Sequence, residues 1–394
     1  MVNRWIGMVI CGVALAAHAQ ISWTQLPDFP GTPRDDAASF TIGTDVYVGT
    51  GMEVGWGLTT DWWRFDGIMN QWSQVASLPG VARQYCTTFV IGSKGYLFGG
   101  LGTAGELNEL WEYDPDTDQW TQLPALPSTP RYACIGWGYD EKGFIATGML
   151  EGGSPTSEFW TYDRTAGIWS QLDDVPGPPR HRAASFGAGV VAGGADSTGQ
   201  ALSDVWAFPA GMGGAQWTSL DDLPAARFGA DGVDMFSIVI GGATDFSDFH
   251  DDVWFDDSSL SWQIFPSFPG GPRKGGVSGS FCCLGAWAYY GTGLDESMTR
   301  HNDWWALNLP SAIEEVGIDG LTLAPNPGTA YFTFVGLPPG PFDLTVSDAQ
   351  GRVVIDSDDL IQRTMDASGW NNGLYIITAT DPTGRIYRAR WIKL

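Results

Sequence analysis

A tryptophan returns along this chain at Trp23, Trp72, Trp120, Trp169, Trp217 and Trp262, at intervals of 49, 48, 49, 48 and 45 residues. No other feature limits the fold as much. After each of these tryptophans comes a Leu-Pro or similar pair and then an arginine: Arg34, Arg83, Arg131, Arg180, Arg227 and Arg273. An apolar strand ending in glycine follows, closing at Gly51, Gly100, Gly148, Gly194, Gly242 and Gly293. Each unit then reaches a second tryptophan, at Trp63, Trp111, Trp160, Trp206, Trp254 and Trp305. Residues 107–131 show the grammar in full. An alternating LWEY strand is broken by the turn Asp114-Pro115-Asp116, and a second short strand opened by Trp120 runs to Leu123. A fixed period of this size with glycine and aromatic marks is the signature of a radial β-repeat.

These marks resemble the kelch repeat over Trp23–Asn308. The resemblance implies four strands per unit, a to d from the centre outwards. The register also predicts how such a ring ends. Trp23–Leu26 is a d strand with no a, b or c before it, and the last unit, Arg273–Asn308, has no d strand. The expectation is an all-β, six-bladed kelch-type propeller over 20–308, closed by its N-terminal strand so that no edge stays open. The two tryptophans per unit are expected between stacked blades. The glycine ending strand b is expected where a Cβ would strike a neighbouring ring.

Both ends of the chain read differently. Residues 1–19 have the form of a secretory signal: Arg4, an apolar run from Trp5 to Ala17, and Ala17-His18-Ala19 before Gln20. The apolar run is too short to span a bilayer, and Cys11 lacks the small residue expected before a lipidated cysteine. Residues 309–320 are a linker. Beyond it the tryptophan period stops, and 321–394 reads as a small β-sandwich with hairpin turns at Asp348–Gly351 and Asp381–Gly384. This tail resembles the C-terminal sorting domain of type IX secretion substrates. The resemblance is carried by Pro325-Asn326-Pro327, the run from Asp348 to Val353, Asn372-Gly373-Leu374-Tyr375-Ile376 and the basic end Arg388–Lys393. It implies passage through the periplasm and then across the outer membrane, ending in secretion or attachment to the cell surface.

Composition narrows the partners. The chain carries 20 basic and 45 acidic residues, a net charge of −25; without Arg4 it would be 19 − 45 = −26. Such acidity disfavours nucleic acid and anionic membranes as partners. Four cysteines follow the signal. Cys86 and Cys134 each stand three residues after a repeat arginine, either as a disulfide or as buried thiols; Cys282-Cys283 has no metal-ligand spacing.

The connections d-to-a and b-to-c are predicted to share one face. There the arginine ring Arg34, Arg83, Arg131, Arg180, Arg227 and Arg273, with Arg182, would meet Glu53, Glu106, Glu151 and Trp56. Arginine, carboxylate and aromatic groups around a concavity suit a sugar or a peptide. The competing reading has each arginine lock its blade by pairing with a carboxylate or carbonyl, and repetition in every unit favours that structural task. His181, His250 and His301 fall on the same face without a ligand pattern, and the acidic loop 245–252 lacks a calcium signature. No cofactor or metal is implied, and no GxSxG, HExxH or phosphate-binding glycine loop occurs. Galactose-oxidase-like kelch enzymes need paired His and Tyr ligands that three scattered histidines do not supply. The functional expectation is a non-catalytic binding module for a glycan or an extracellular protein, with the type IX machinery engaged by 321–394. The alternative is a carbohydrate-active enzyme, a sugar epimerase or mutarotase, working with an Arg/Glu site at the channel mouth.

Overall fold

The computed structural model describes residues 21–187, 189–209, 216–233, 237–256, 262–281, 286–309, 322–324, 330–335, 337, 340–348, 353–370, 373–383 and 385–393. The signal segment, Cys282-Cys283, residues 310–320 of the linker, the Pro325-Asn326-Pro327 motif and Asn372 lie outside them. The described residues contain strands and no helix, and they divide into two compact units, one running as far as Leu309 and the other beyond it.

Among its described residues the first unit holds six four-stranded antiparallel sheets. The first consists of Ala38–Ile42, Asp45–Gly49, Trp62–Asp66 and Gln71–Val75. In the sixth, Val277–Phe281, Ala286–Gly291 and Trp304–Leu309 take Ser22–Leu26 as their outer strand, with Trp23 opposite Leu307 and Leu26 opposite Trp304. The last sheet therefore draws its fourth strand from the start of the chain, which covers an edge that would otherwise stay unpaired.

Large side chains fill the space between successive sheets. Phe40, Tyr47 and Trp62 of the first meet Leu97, Trp111 and Tyr113 of the second. Trp304 of the sixth lies 5.9 Å from Phe65 and 5.3 Å from Trp72 of the first. Among the described residues the tryptophans with no exposed surface are Trp62 and Trp304, each next to a repeat tryptophan. Most of the repeat tryptophans are only half-buried, because their indole nitrogens are needed at polar partners. Those opening strand d donate Nε1 to a carbonyl just past the d strand of the preceding sheet. Trp72 reaches Pro27, Trp120 reaches Ala76, Trp169 reaches Pro124, and Trp23 reaches Pro266, each at 2.9 Å. Trp217 and Trp262 reach Asp173 and Asp221 at 3.0 and 3.3 Å.

The glycine ending strand b has a different cause from the one expected. Gly51 and Gly100 sit at φ +100° and +105°, and a Cβ on Gly100 would come within 2.9 Å of the Gln84 carbonyl in its own unit. The constraint is this left-handed backbone against the chain entering strand a, and no neighbouring ring is involved. The conformation turns the amide toward the next sheet. Gly51 donates to Arg83 O, Gly100 to Arg131 O, Gly148 to Arg180 O, Gly194 to Arg227 O, Gly242 to Arg273 O and Gly293 to Arg34 O, all within 2.7–3.1 Å.

The second unit has a three-stranded sheet (Thr322–Ala324, Tyr331–Val335, Thr364–Asp366) and a four-stranded one (Val353–Leu360, Phe342–Asp348, Gly373–Thr380, Ile386–Lys393). Phe332, Phe334 and Met365 from one meet Leu344, Val346 and Ile377 from the other in a single core. The turn expected at Asp381 forms around its carboxylate, which accepts from the amides of Thr383 (2.9 Å) and Arg385 (3.1 Å).

Candidate functional site at the channel mouth

The b-to-c loops and the segments entering strand a do share one face, since they pair with each other. Asp35 stands opposite Met52, Gln84 opposite Leu101, Tyr132 opposite Met149, His181 opposite Ala195, Phe228 opposite Ala243 and Lys274 opposite Leu294. Beneath this face the first strands of all six sheets line one polar cavity of about 150 Å³, with Ser39, Thr88, Ser185, Asp231 and Ser278 in its wall.

The arginine ring does not face this opening. All six side chains are buried, none more than 3% exposed. Each forms an ion pair at 2.5–2.7 Å within its own unit: Arg34 with Asp61, Arg83 with Glu109, Arg131 with Glu158, Arg180 with Asp204, Arg227 with Asp252 and Arg273 with Asp303. Arg34 also donates to the Thr32 and Thr50 carbonyls and the Thr59 hydroxyl, so its guanidinium has no donor left for a ligand. Sequence reasoning missed the partner carboxylates. Each stands two residues before the second repeat tryptophan, and in five units that indole donates to the same carboxylate, as Trp63 does to Asp61 at 2.8 Å. Burial pushes these carboxyls up, but the arginine and indole hydrogen bonds outweigh it and hold Asp61, Glu158 and Asp204 below the usual carboxylate range. The arginine ring is therefore structural, which corrects its place among the binding candidates.

Two residues beyond each arginine a second ring does face the axis. Asp36, Tyr85, Ala133, Arg182, Gly229 and Gly275 all have left-handed backbones, with φ between +50° and +63°. Their amides form a circuit. Asp36 N donates to Gly275 O, Tyr85 to Asp36, Ala133 to Tyr85, Arg182 to Ala133, Gly229 to Arg182 and Gly275 to Gly229, at 2.8–3.0 Å, and the last bond returns to the first residue. The circuit needs only backbone, and glycine is the least strained residue for it. Two sheets use glycine. Aspartate, tyrosine, alanine and arginine in the same conformation carry strain of order 1 kcal/mol each.

The Tyr85 and Arg182 side chains meet over Ala133. The Arg182 guanidinium stacks 4.5 Å from the centroid of the Tyr85 ring and donates to its hydroxyl, with Tyr132 packed 5.6 Å from the same ring. Burial and the nearby Asp36 carboxylate push the Tyr85 hydroxyl well above its ordinary pKa, so it stays protonated. Beside Tyr85 the Asp36 carboxylate also lies against Gly275, and Asp35 accepts from Arg300. Burial, with Asp36 adding to it and Arg300 opposing, raises the Asp35 carboxyl to about 7. Arg300 lies 4.8 Å below the Trp56 ring, which is 65% exposed. Lys274 completes the set, its ammonium beside Phe246 and Phe249 at 4.9 and 5.0 Å. Three cations and two carboxylates thus gather at one point of an otherwise acidic chain.

The remaining sequence candidates are scattered. Glu53 accepts from the Thr32 hydroxyl at 2.6 Å, Glu106 pairs through its backbone with Leu101, and Glu151 is exposed. Of the candidates, only Arg182 and Trp56 belong to the cluster. The histidines stay apart: His301 pairs with Asp295 at 2.9 Å, His250 with Thr244 at 3.4 Å, and burial beside Arg182 lowers His181 to about 4. Among the described residues no three His, Cys, Asp or Glu side chains gather as a metal site. Cys86 and Cys134 are free thiols in the cavity wall, raised by burial to about 11 and about 12 and hence inert.

Among curated proteins none matches the chain. Residues 16–189 match the family model of the KLHDC2/KLHL20/DRC7 kelch-repeats domain. Among solved structures, the one titled "Structure of YjhT" aligns with a TM-score of 0.60 at 18% identity, over 71% of this chain and 95% of that one. The likeness to kelch repeats thus lies over residues 16–189, and the fold of the chain is shared with that solved structure.

Proposed function

We propose that the chain is an exported, six-bladed kelch propeller, closed by its N-terminal strand, that binds a glycan or an extracellular protein at the channel mouth without chemical turnover. The observation that carries this reading is the break in the inner ring. Five of six units repeat their Arg–carboxylate–Trp lock, yet at the axis the sheets diverge into Asp36, Tyr85, Ala133, Arg182 and two glycines. Stability alone asks for repetition; a ligand asks for differences. Exposed Trp56 beside that set supplies a flat apolar surface of the kind a sugar ring or a peptide side chain stacks upon. The signal-like residues 1–19 and a sorting role for 321–394 are part of the same proposal, resting on their sequence motifs. The test is a glycan-array and protein-capture screen of the folded chain beside Arg182→Ala and Trp56→Ala. Both substitutions should abolish capture with melting temperatures near that of the parent chain. Capture unaffected by both would exclude the mouth as the site.

A second reading, a sugar epimerase or mutarotase, is supported by one placement: Asp35, Asp36, Tyr85 and Arg182 act on one another electrostatically, so carboxyl, hydroxyl and cation share one opening. Acceleration of anomeric exchange in NMR spectra of reducing sugars, lost in Asp35→Asn, would establish it over simple binding.

A further inference from the structure

The loop tips of the mouth face fall into two halves. In the second, third and fourth sheets the b-to-c loops turn on small residues, Thr103-Ala104, Gly152-Gly153-Ser154 and Ser197-Thr198-Gly199. The fifth, sixth and first sheets bond to one another in succession through the amides of Gly242 and Gly293. Their tips carry Phe246, Met298, Val54 and Trp56, exposed by 76%, 53%, 66% and 65%. Two of these residues occupy a turn position that other sheets give to glycine. Gly153 donates to Leu150 O and Gly199 to Asp196 O; the equivalent amides of Trp56 and Met298 donate to Glu53 O and Asp295 O, all at 3.0–3.1 Å. The backbone is left-handed at all four, with φ +80° and +83° at the glycines and +68° and +61° at Trp56 and Met298. A side chain in that conformation is strained, and burial returns little, since both are more than half exposed.

We propose that Phe246, Met298, Val54 and Trp56 form the apolar centre of a docking surface for a segment of another protein, one that presents aliphatic side chains flanked by lysine or arginine. The inference rests on the reading of the mouth as a binding face and names its partner. The three loops are pinned to one another before any partner arrives. Glu296 of the sixth sheet accepts from the Phe249 amide of the fifth at 3.0 Å, and Arg300 of the sixth stacks 4.8 Å from the Trp56 ring of the first. Pinned loops lose little freedom on binding. Aromatic and methionine side chains on projecting tips suit a protein surface, whereas a sugar calls for a concave site with convergent polar groups. Charge sets the kind of protein. Lys274 and Arg300 are each only 8% exposed, with Phe246 and Trp56 packed against them. Asp245, Asp248 and Glu296 at the same tips are exposed. The surface met by a partner is therefore apolar with an acidic border, on a chain of net charge −25, and its complement is basic.

The folded full chain would be titrated, by fluorescence anisotropy, with two series of labelled synthetic peptides. Both series carry the same leucine and valine positions; the flanking residues are lysine in one and glutamate in the other. The lysine series should bind and the glutamate series should not. Raising salt from about 50 mM to about 300 mM should weaken the binding, because the acidic border is exposed. Met298→Gly combined with Val54→Ser should weaken it about tenfold or more, as loss of central apolar side chains does. The melting temperature of that variant should stay near that of the parent chain, because glycine suits the left-handed turn. Binding of neither series, equal binding of both, or binding that survives the double substitution would overturn the proposal. Glycan capture abolished by Arg182→Ala and Trp56→Ala but untouched by Met298→Gly with Val54→Ser would also overturn it, while leaving the mouth as the binding site. Capture unaffected by all of these substitutions would remove both readings together.

Discussion

At the scale of single residues, two arginines two positions apart have opposite fates. Arg180 is fully buried and bonded to Asp204, the Gly193 carbonyl and the Pro178 carbonyl, whereas Arg182 reaches across the channel mouth to Tyr85. Arg180→Ala should lower stability by about 3 kcal/mol in a denaturant titration, the low end for breaking a buried pair because Asp204 keeps 28% exposure. Arg182→Ala should change stability far less. The sequence told them apart only in part. Arg180 is one of six at a fixed register, which marks a repeated task, but its partner was hidden. Asp61, Glu109, Glu158, Asp204, Asp252 and Asp303 look like ordinary loop acids until their common place two residues before a tryptophan is noticed. Asp35 adds a prediction of opposite sign to the usual carboxylate. Its folded pKa of about 7 lies above its ordinary value, so between about pH 4 and 7 the folded chain holds a proton that the unfolded chain releases. Stability should therefore fall as pH rises through that window, and Asp35→Asn should flatten the slope measured by thermal unfolding. An unchanged slope would mean that Asp35 titrates normally.

Individual strands were legible wherever alternation and aromatic marks coincide, as in Leu110–Asp114 and Gln119–Leu123, which pair from Leu110 opposite Leu123 to Asp114 opposite Gln119. Strand d of the last unit was legible by its absence, and Ser22–Leu26 occupies that place beside Trp304–Leu309. What stayed illegible was the left-handed inner ring. Asp36, Tyr85, Ala133 and Arg182 share no residue type, and a backbone conformation imposed by bonds to neighbouring sheets leaves no signature in local sequence. The N-terminal strand carries a test of its own. Deleting residues 21–26 removes the Trp23–Pro266 bond and exposes the backbone edge of Trp304–Leu309. Loss of a single strand elsewhere would be a local event, but these residues join the two ends of the first unit. A cooperative drop in melting temperature, with a new tendency to self-associate through the bare edge, is the expected outcome. Unchanged unfolding would mean that the pairing contributes nothing to the integrity of the unit.

At the scale of the whole molecule, each unit has a core of its own. Sheet-to-sheet aromatic packing and Arg–carboxylate locks hold the first, and the Phe332–Phe334–Leu344 core holds the second. Among the described residues the Phe332–Phe334–Leu344 core is drawn from the second unit alone. A chain stopped after Ser311 should therefore fold its first unit with an unaltered melting transition and retain whatever the channel mouth binds. The proposed sorting role makes a sharper demand. In a host with type IX machinery, the truncated chain should accumulate in the periplasm while the full chain reaches the surface or the medium, as fractionation and protease accessibility would show. Surface delivery of the truncated chain would reduce 321–394 to an accessory domain and leave the binding proposal intact, because the residues named at the mouth all precede Leu309. Retention of both chains would instead remove the export reading while leaving the fold of each unit as it is.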